Sequence, residues 1–241
     1  MKQILTSIKN NIPNTITSLN LVCGAIAIMF SFRYAETFDT FLGVLKGYEI
    51  SFVFIGLAAV FDFCDGFSAR LLHAYSDLGK ELDSLSDLVS FGVAPAMLVY
   101  NTVQHYNPGS IFAYFAALLG VFGALRLAKF NIDTRQKTTF IGLPIPANAI
   151  FWIGMVAWFN RYTYPHDVVV LIMVLIFSYL MVSPLKMFSL KFQNLDVQDN
   201  FLRYVLILGA ILFVVSYGIC GFAWTIVLYV FLSMACHKYI F

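Results

Sequence analysis

Asp62, Asp65, Asp83 and Asp87 place four carboxylates within 26 residues of a chain that is only 12% charged. Asp62 and Asp65 are three apart, and Asp83 and Asp87 four apart, so on helices each pair shares one face. Two such faces turned into one space crowd four like charges together. That arrangement disfavours an empty site and favours oxygen-loving divalent cations such as Mg²⁺ or Mn²⁺. A pair of metals sharing carboxylates at roughly 3.5–4 Å is the usual clamp for a transferring phosphoryl group. The residues between the pairs suit the same chemistry. Gly66 has no side chain to keep a phosphate or sugar off the backbone, and Arg70, one turn further, offers a planar fork for phosphate oxygens. Gly79 is read as breaking a loop ahead of Asp83. The ordinary alternative is a solvated loop between two helices, which explains each residue singly but not the joint pattern.

The elements that must hold these carboxylates are membrane helices. The chain has 241 residues, 60% of them hydrophobic, well above the roughly 45–50% of soluble proteins. Apolar runs near the roughly 20 residues needed to cross a bilayer fall at 18–33, 47–64, 86–102, 110–128, 143–160, 166–183, 201–217 and 219–236. The expectation is an all-α polytopic bundle of eight spans, a six-helix core with a final pair. It forms a single membrane domain, with a catalytic core over 15–200 and the extra pair over 201–241. An unpaired charge at bilayer depth costs roughly 2.5–3.5 kcal/mol, so the acidic residues demand a counter-charge.

With the N-terminus inside, the short connections carry twelve basic residues on the inner side and only Arg33, Lys46 and Arg161 outside. This positive-inside bias puts the acidic motif and both termini at the cytoplasmic face of the cell's inner membrane. Residues 1–14 set Ile4, Leu5, Ile8 and Ile12 at helical spacing beside Lys2 and Lys9, the pattern of an amphipathic helix lying on the inner leaflet. A cleaved signal peptide lacks its small-x-small site. The formal net charge of +2 argues against nucleic-acid binding. Cys23, Cys64, Cys220 and Cys236 lack metal-ligand spacing and read as thiols in apolar surroundings. The four histidines are too dispersed to form a metal set.

The run D-x2-D-G-x2-A-R-x8-G-x3-D-x3-D, from Asp62 to Asp87, matches the signature of the CDP-alcohol phosphotransferase family, which the chain therefore resembles. The resemblance implies a helical membrane fold, two divalent cations, a homodimer, and attack of an alcohol on a CDP-linked lipid with release of CMP. By position it makes Asp62, Asp65, Asp83 and Asp87 metal ligands, with Asp87 also the general base. Gly66, Ala69, Arg70 and Gly79 would line the cytidine-diphosphate pocket. Asn14 and Thr17, in Pro13-Asn14-Thr15-Ile16-Thr17, match an upstream element that would bond the nucleotide. Their ordinary role before an apolar run is helix capping.

Three further stretches, DSLSDLVSFGVAPA (83–96), GALRLAKFN (123–131) and FIGLPIPA (140–147), resemble the membrane-integral phosphatidylserine synthases within that family. The implied substrates are CDP-diacylglycerol and L-serine. Arg126 and Lys129, three apart, suit a carboxylate, and Asn131 suits either polar role. The competing role for both cations is anchoring at the headgroups. Gly142, Pro144 and Pro146 are expected to shape a break before the fifth span. Two rivals stay open: the same chemistry with glycerol 3-phosphate or inositol phosphate, for which Arg135 and Lys137 would supply extra charge, and a cation transporter using the acids. A transporter is expected to place acids or broken helices in both halves, whereas these cluster in one.

Overall fold

A computed structural model describes residues 2–133, 140–190, 192, 194 and 196–235, without side chains for 2–10 and 140. Arg135, Lys137, Cys236 and His237 lie outside the described residues. The chain divides into two compact units, 1–121 and 122–241.

In the first unit, α1 (Lys2–Phe32) is followed by a hairpin of β1 (Thr37–Thr40) and β2 (Gly43–Lys46), then by α2 (Gly47–Leu72). A four-residue connection leads to α3 (Asp77–Asp87), which passes through a π-helical turn (Leu88–Val93) into α4 (Ala94–Tyr106). Ser76 caps α3 by accepting the Gly79 N–H at 3.0 Å, and His73 ends α2 in the left-handed conformation, with φ 50°, as helix C-termini commonly do. α1 packs against α2, α3, the π turn and α4. Its other face, including Leu19, Val22 and Met29, is exposed, which suits lipid.

The contact between α1 and the π turn depends on Gly24. A Cβ there would run into the Ser90 hydroxyl and stand 2.8 Å from the Ser90 Cα. Two buried serines then tie the helices together: Ser86 donates to the Thr17 carbonyl at 3.2 Å and Ser90 to the Asn20 carbonyl at 3.0 Å. In an apolar medium such hydroxyls need internal acceptors.

α5 (Ala117–Ile132) runs into the second unit, which also holds α6 (Ile145–Arg161), α7 (Asp167–Val182), α8 (Val197–Tyr217) and α9 (Gly221–Ala235). The short strands β3 (Phe140–Ile141) and β4 (Lys186–Met187) pair antiparallel. The expected break before α6 is present. Gly142 has φ +78°, where a Cβ would stand 2.9 Å from the Met181 carbonyl carbon, and Pro144 and Pro146 occupy the N-cap and first turn of α6, where their missing N–H costs nothing. Gly154 brings α6 onto α9, its would-be Cβ 2.9 Å from the Ala223 Cβ.

The span expectations are met in part. Among the described residues, five helices are long and apolar enough to cross a membrane: Asn11–Phe32, Gly47–Leu72, Asp77–Tyr106, Ile111–Ile132 and Val197–Ala235. The expected eight separate spans therefore reduce to five by this criterion. α7 is apolar but shorter, at 16 residues, and the final pair forms one 39-residue stretch turning at Gly218. The amphipathic segment 1–14 is not a separate helix either. α1 runs unbroken from Lys2 through Pro13 to Phe32.

Candidate active site

The acidic pairs sit inside helices, not at the ends of a loop. α2 continues to Leu72, a full two turns past Asp65, and α3 begins at Asp77. Gly79 is accordingly a residue of α3 and not a loop breaker. Its small size has another use: a Cβ there would lie 2.8 Å from the Asn14 Oδ1, so Gly79 lets α1 approach α3.

Asp62 on α2 and Asp83 and Asp87 on α3 each present a carboxylate oxygen, and these three atoms lie within 4.8 Å of one another. Asp65 stands outside that trio. It is 5% exposed, close enough to Asp62 and Asp83 for their charges to interact, and has the Thr17 hydroxyl beside it. One oxygen of Asp65, Oδ2, is buried without a hydrogen-bond partner. Among the described residues no lysine or arginine is found paired with any of the four. Three converging carboxylate oxygens with no lysine or arginine paired to them, and an orphaned Asp65 oxygen nearby, fit hard divalent cations of the Mg²⁺ or Mn²⁺ kind.

Beside the cluster lies a cavity of about 330 Å³ lined by Asn14, Thr17, Asp65, Gly66, Ala69, Arg70, Gly79 and Asp83. All six residues expected to hold the CDP moiety thus face one space. Asn14 and Thr17 lie one turn apart inside α1, not at its start, so they are not helix caps. Gly66 lines the cavity with nothing within 4 Å of where its Cβ would be, so protein packing does not require glycine there. Arg70 is exposed at the cavity. Tyr75, Ser76 and Lys80 also line it; sequence reading gave none of the three a role at the site.

In the second unit, Arg126 and Lys129 share a cavity of about 520 Å³ with Asp133 and Ser183. Arg126 is 6% exposed and lies over the Phe130 ring at 4.9 Å, so it is not a charge reaching for headgroups. Lys129 is exposed and donates to the Val182 carbonyl at 3.4 Å. Asn131 is not among that cavity's lining residues, being turned away from the face that 126 and 129 share.

Sequence reading also passed over Asn20. It is fully buried and donates through Nδ2 to the Asp87 Oδ1 at 3.3 Å. The only signal was a polar residue within an apolar run.

The fold and site are thus those of a helical membrane protein that carries an acidic cluster beside an open cavity. Residues 10–185 match the family model for CDP-alcohol phosphatidyltransferase, and the chain belongs to that family. It is 41% identical over 177 residues to a CDP-diacylglycerol–serine O-phosphatidyltransferase of Bacillus subtilis, covering 73% of this chain and 89% of the relative. A Methanocaldococcus jannaschii protein of the same name is 37% identical over 167 residues, 69% of this chain and 71% of that one. One from Helicobacter pylori is 37% identical over 152 residues, 62% of this chain and 59% of the relative.

Proposed function

We propose that this protein transfers the phosphatidyl group of CDP-diacylglycerol to the hydroxyl of L-serine, giving phosphatidylserine and CMP. The observation that carries the reading is the convergence of Asp62, Asp83 and Asp87 beside a cavity lined by all six residues expected to hold the nucleotide. The similarity to relatives bearing the serine-transferase name supports serine as the acceptor.

Two divalent cations, Mg²⁺ or Mn²⁺, held by Asp62, Asp65, Asp83 and Asp87, would supply charge neutralisation for the diphosphate and the leaving CMP. Asn14 and Thr17 bond the nucleotide from α1, and Gly66 and Ala69 let it lie against α2. Gly79 keeps α3 clear of it, and Arg70 adds positive charge at the diphosphate. Asp87 accepts the serine hydroxyl proton as the oxygen attacks the lipid-proximal phosphorus in line. Arg126 and Lys129 are assigned to the serine carboxylate; Asn131, turned away from the face those two share, is given no part in holding it. The buried guanidinium of Arg126 beside the Lys129 ammonium supports the assignment.

The positive-inside count favours this site at the cytoplasmic face, with both termini inside. α6, α7 and the two halves of Val197–Ala235 are inferred to cross as well, restoring eight spans, with the start of α1 on the inner leaflet and two copies forming a homodimer. The transfer is a single sequential displacement, so initial rates with both substrates varied give intersecting double-reciprocal lines. Parallel lines, the mark of a covalent intermediate, contradict it.

A further inference from the structure

We infer that Asn20 is a positioning residue that holds the Asp87 carboxylate in its working orientation. The inference rests on the reading of Asp87 as metal ligand and base. Asp87 must offer one oxygen to a cation and a lone pair to a hydroxyl, and a carboxylate free to rotate does neither reliably. Asn20 takes hold of one oxygen, Oδ1, through its amide at 3.3 Å. A neutral amide does this without cancelling the charge that a cation needs, whereas a lysine or arginine in the same place would compete with the metal.

The surroundings show that the contact is built. Thr17, Asn20 and Gly24 fall on one stripe of α1, facing Ser86, Asp87 and Ser90. The hydroxyls of Ser86 and Ser90 fix the two backbones in register by donating to the carbonyls of Thr17 and Asn20, and Gly24 allows the close approach. The π-helical turn begins at Leu88, directly after Asp87, as such turns often do at functional sites. Asn20 is fully buried, yet its Oδ1 has no hydrogen-bond partner. A leucine would suit an apolar helix better at this position, and the donation to Asp87 is the contact that offsets the amide's burial.

The test compares purified wild type, Asn20→Leu, Asp87→Asn and the double variant for Mn²⁺ affinity by electron paramagnetic resonance without substrates. Steady-state kcat and KM for CDP-diacylglycerol follow, with Tm in detergent as the check on folding. Asn20→Leu keeps the branched shape and the number of heavy atoms, adds some volume, and removes the donor. It is expected to weaken Mn²⁺ binding and lower kcat by about 10–100-fold each, with KM for the lipid within about twofold. In the Asp87→Asn background it is expected to weaken Mn²⁺ no further, since the group it orients is gone. Wild-type Mn²⁺ affinity in Asn20→Leu, or a loss that adds in full to that of Asp87→Asn, overturns the inference. If the leucine variant does not fold, Asn20→Ser, smaller and able to bond its own helix, is read in the same way. Unchanged Mn²⁺ affinity in Asp87→Asn itself refutes the reading of the site, not this inference alone.

Discussion

Single residues decide the chemistry here because charge is rare and costly in this environment. Asp87 combines a ligand's role with a base's, so Asp87→Asn is expected to lower serine-dependent CMP release by about 10²–10⁴-fold while Tm in detergent holds. Gly66 makes the opposite kind of prediction. With nothing within 4 Å of its would-be Cβ, Gly66→Ala removes backbone freedom without a clash and is expected to raise stability by up to about 1 kcal/mol. Gly66→Leu fills the space the nucleotide needs and is expected to raise KM for CDP-diacylglycerol at least about tenfold, at unchanged Tm. Loss of stability in either glycine variant would show that Gly66 serves packing. The acidic cluster was legible in the sequence because carboxylates stand out against an apolar background. Asn20 was not, because one amide scarcely alters the hydropathy of its run and its partner lies 67 positions away. Asn131 was read by proximity to Arg126 and Lys129, but a two-residue step along a helix turns the side chain away from its neighbours.

At the scale of elements, the site is a matter of register between α1 and the α3–π segment. Gly24 is the narrowest point, with a Cβ predicted to meet the Ser90 hydroxyl. Gly24→Leu is expected to force the helices apart, costing about 1–3 kcal/mol, and to lower kcat and Mn²⁺ affinity together. Gly24→Leu with normal stability and activity would show that the register is not set here. Hydropathy located the middles of the helices well but ended α2 eight residues early and began α3 nine residues late. The reason is physical: the helices continue where they turn polar residues toward an open cavity, and a sequence average takes that polarity for a loop. The connection therefore shrank from an expected 65–85 to the four residues between Leu72 and Asp77. The Ser76 cap marks the true start of α3, and its signal was a serine three residues ahead of a glycine, which no hydropathy window weighs.

For the whole molecule, the helical membrane class followed from composition alone, whereas the number of crossings did not, because α6 and α7 are short and α8 and α9 meet at a tight turn. Orientation carries its own prediction. Phe41 at the hairpin tip is 97% exposed and Tyr75 in the α2–α3 connection is 72% exposed. Along α1, Thr17 and Phe32 are separated by roughly 22 Å at 1.5 Å per residue, so the site lies beside the middle of that helix and the hairpin follows its C-terminal end. In a cysteine-free background, a membrane-impermeant thiol reagent added to intact cells is expected to label Phe41→Cys and spare Tyr75→Cys, with labelling of Tyr75→Cys appearing once the membrane is opened. The reverse pattern would put the acidic site outside. Phosphatidyl transfer to serine is tested most directly by CMP release from the purified protein in detergent, with CDP-diacylglycerol, Mn²⁺ or Mg²⁺, and L-serine, glycerol 3-phosphate or inositol phosphate in turn. The predicted result is turnover with serine alone, lost on chelation and in Asp87→Asn; turnover only with a phosphorylated acceptor, or none at all from folded, metal-loaded protein, would contradict it.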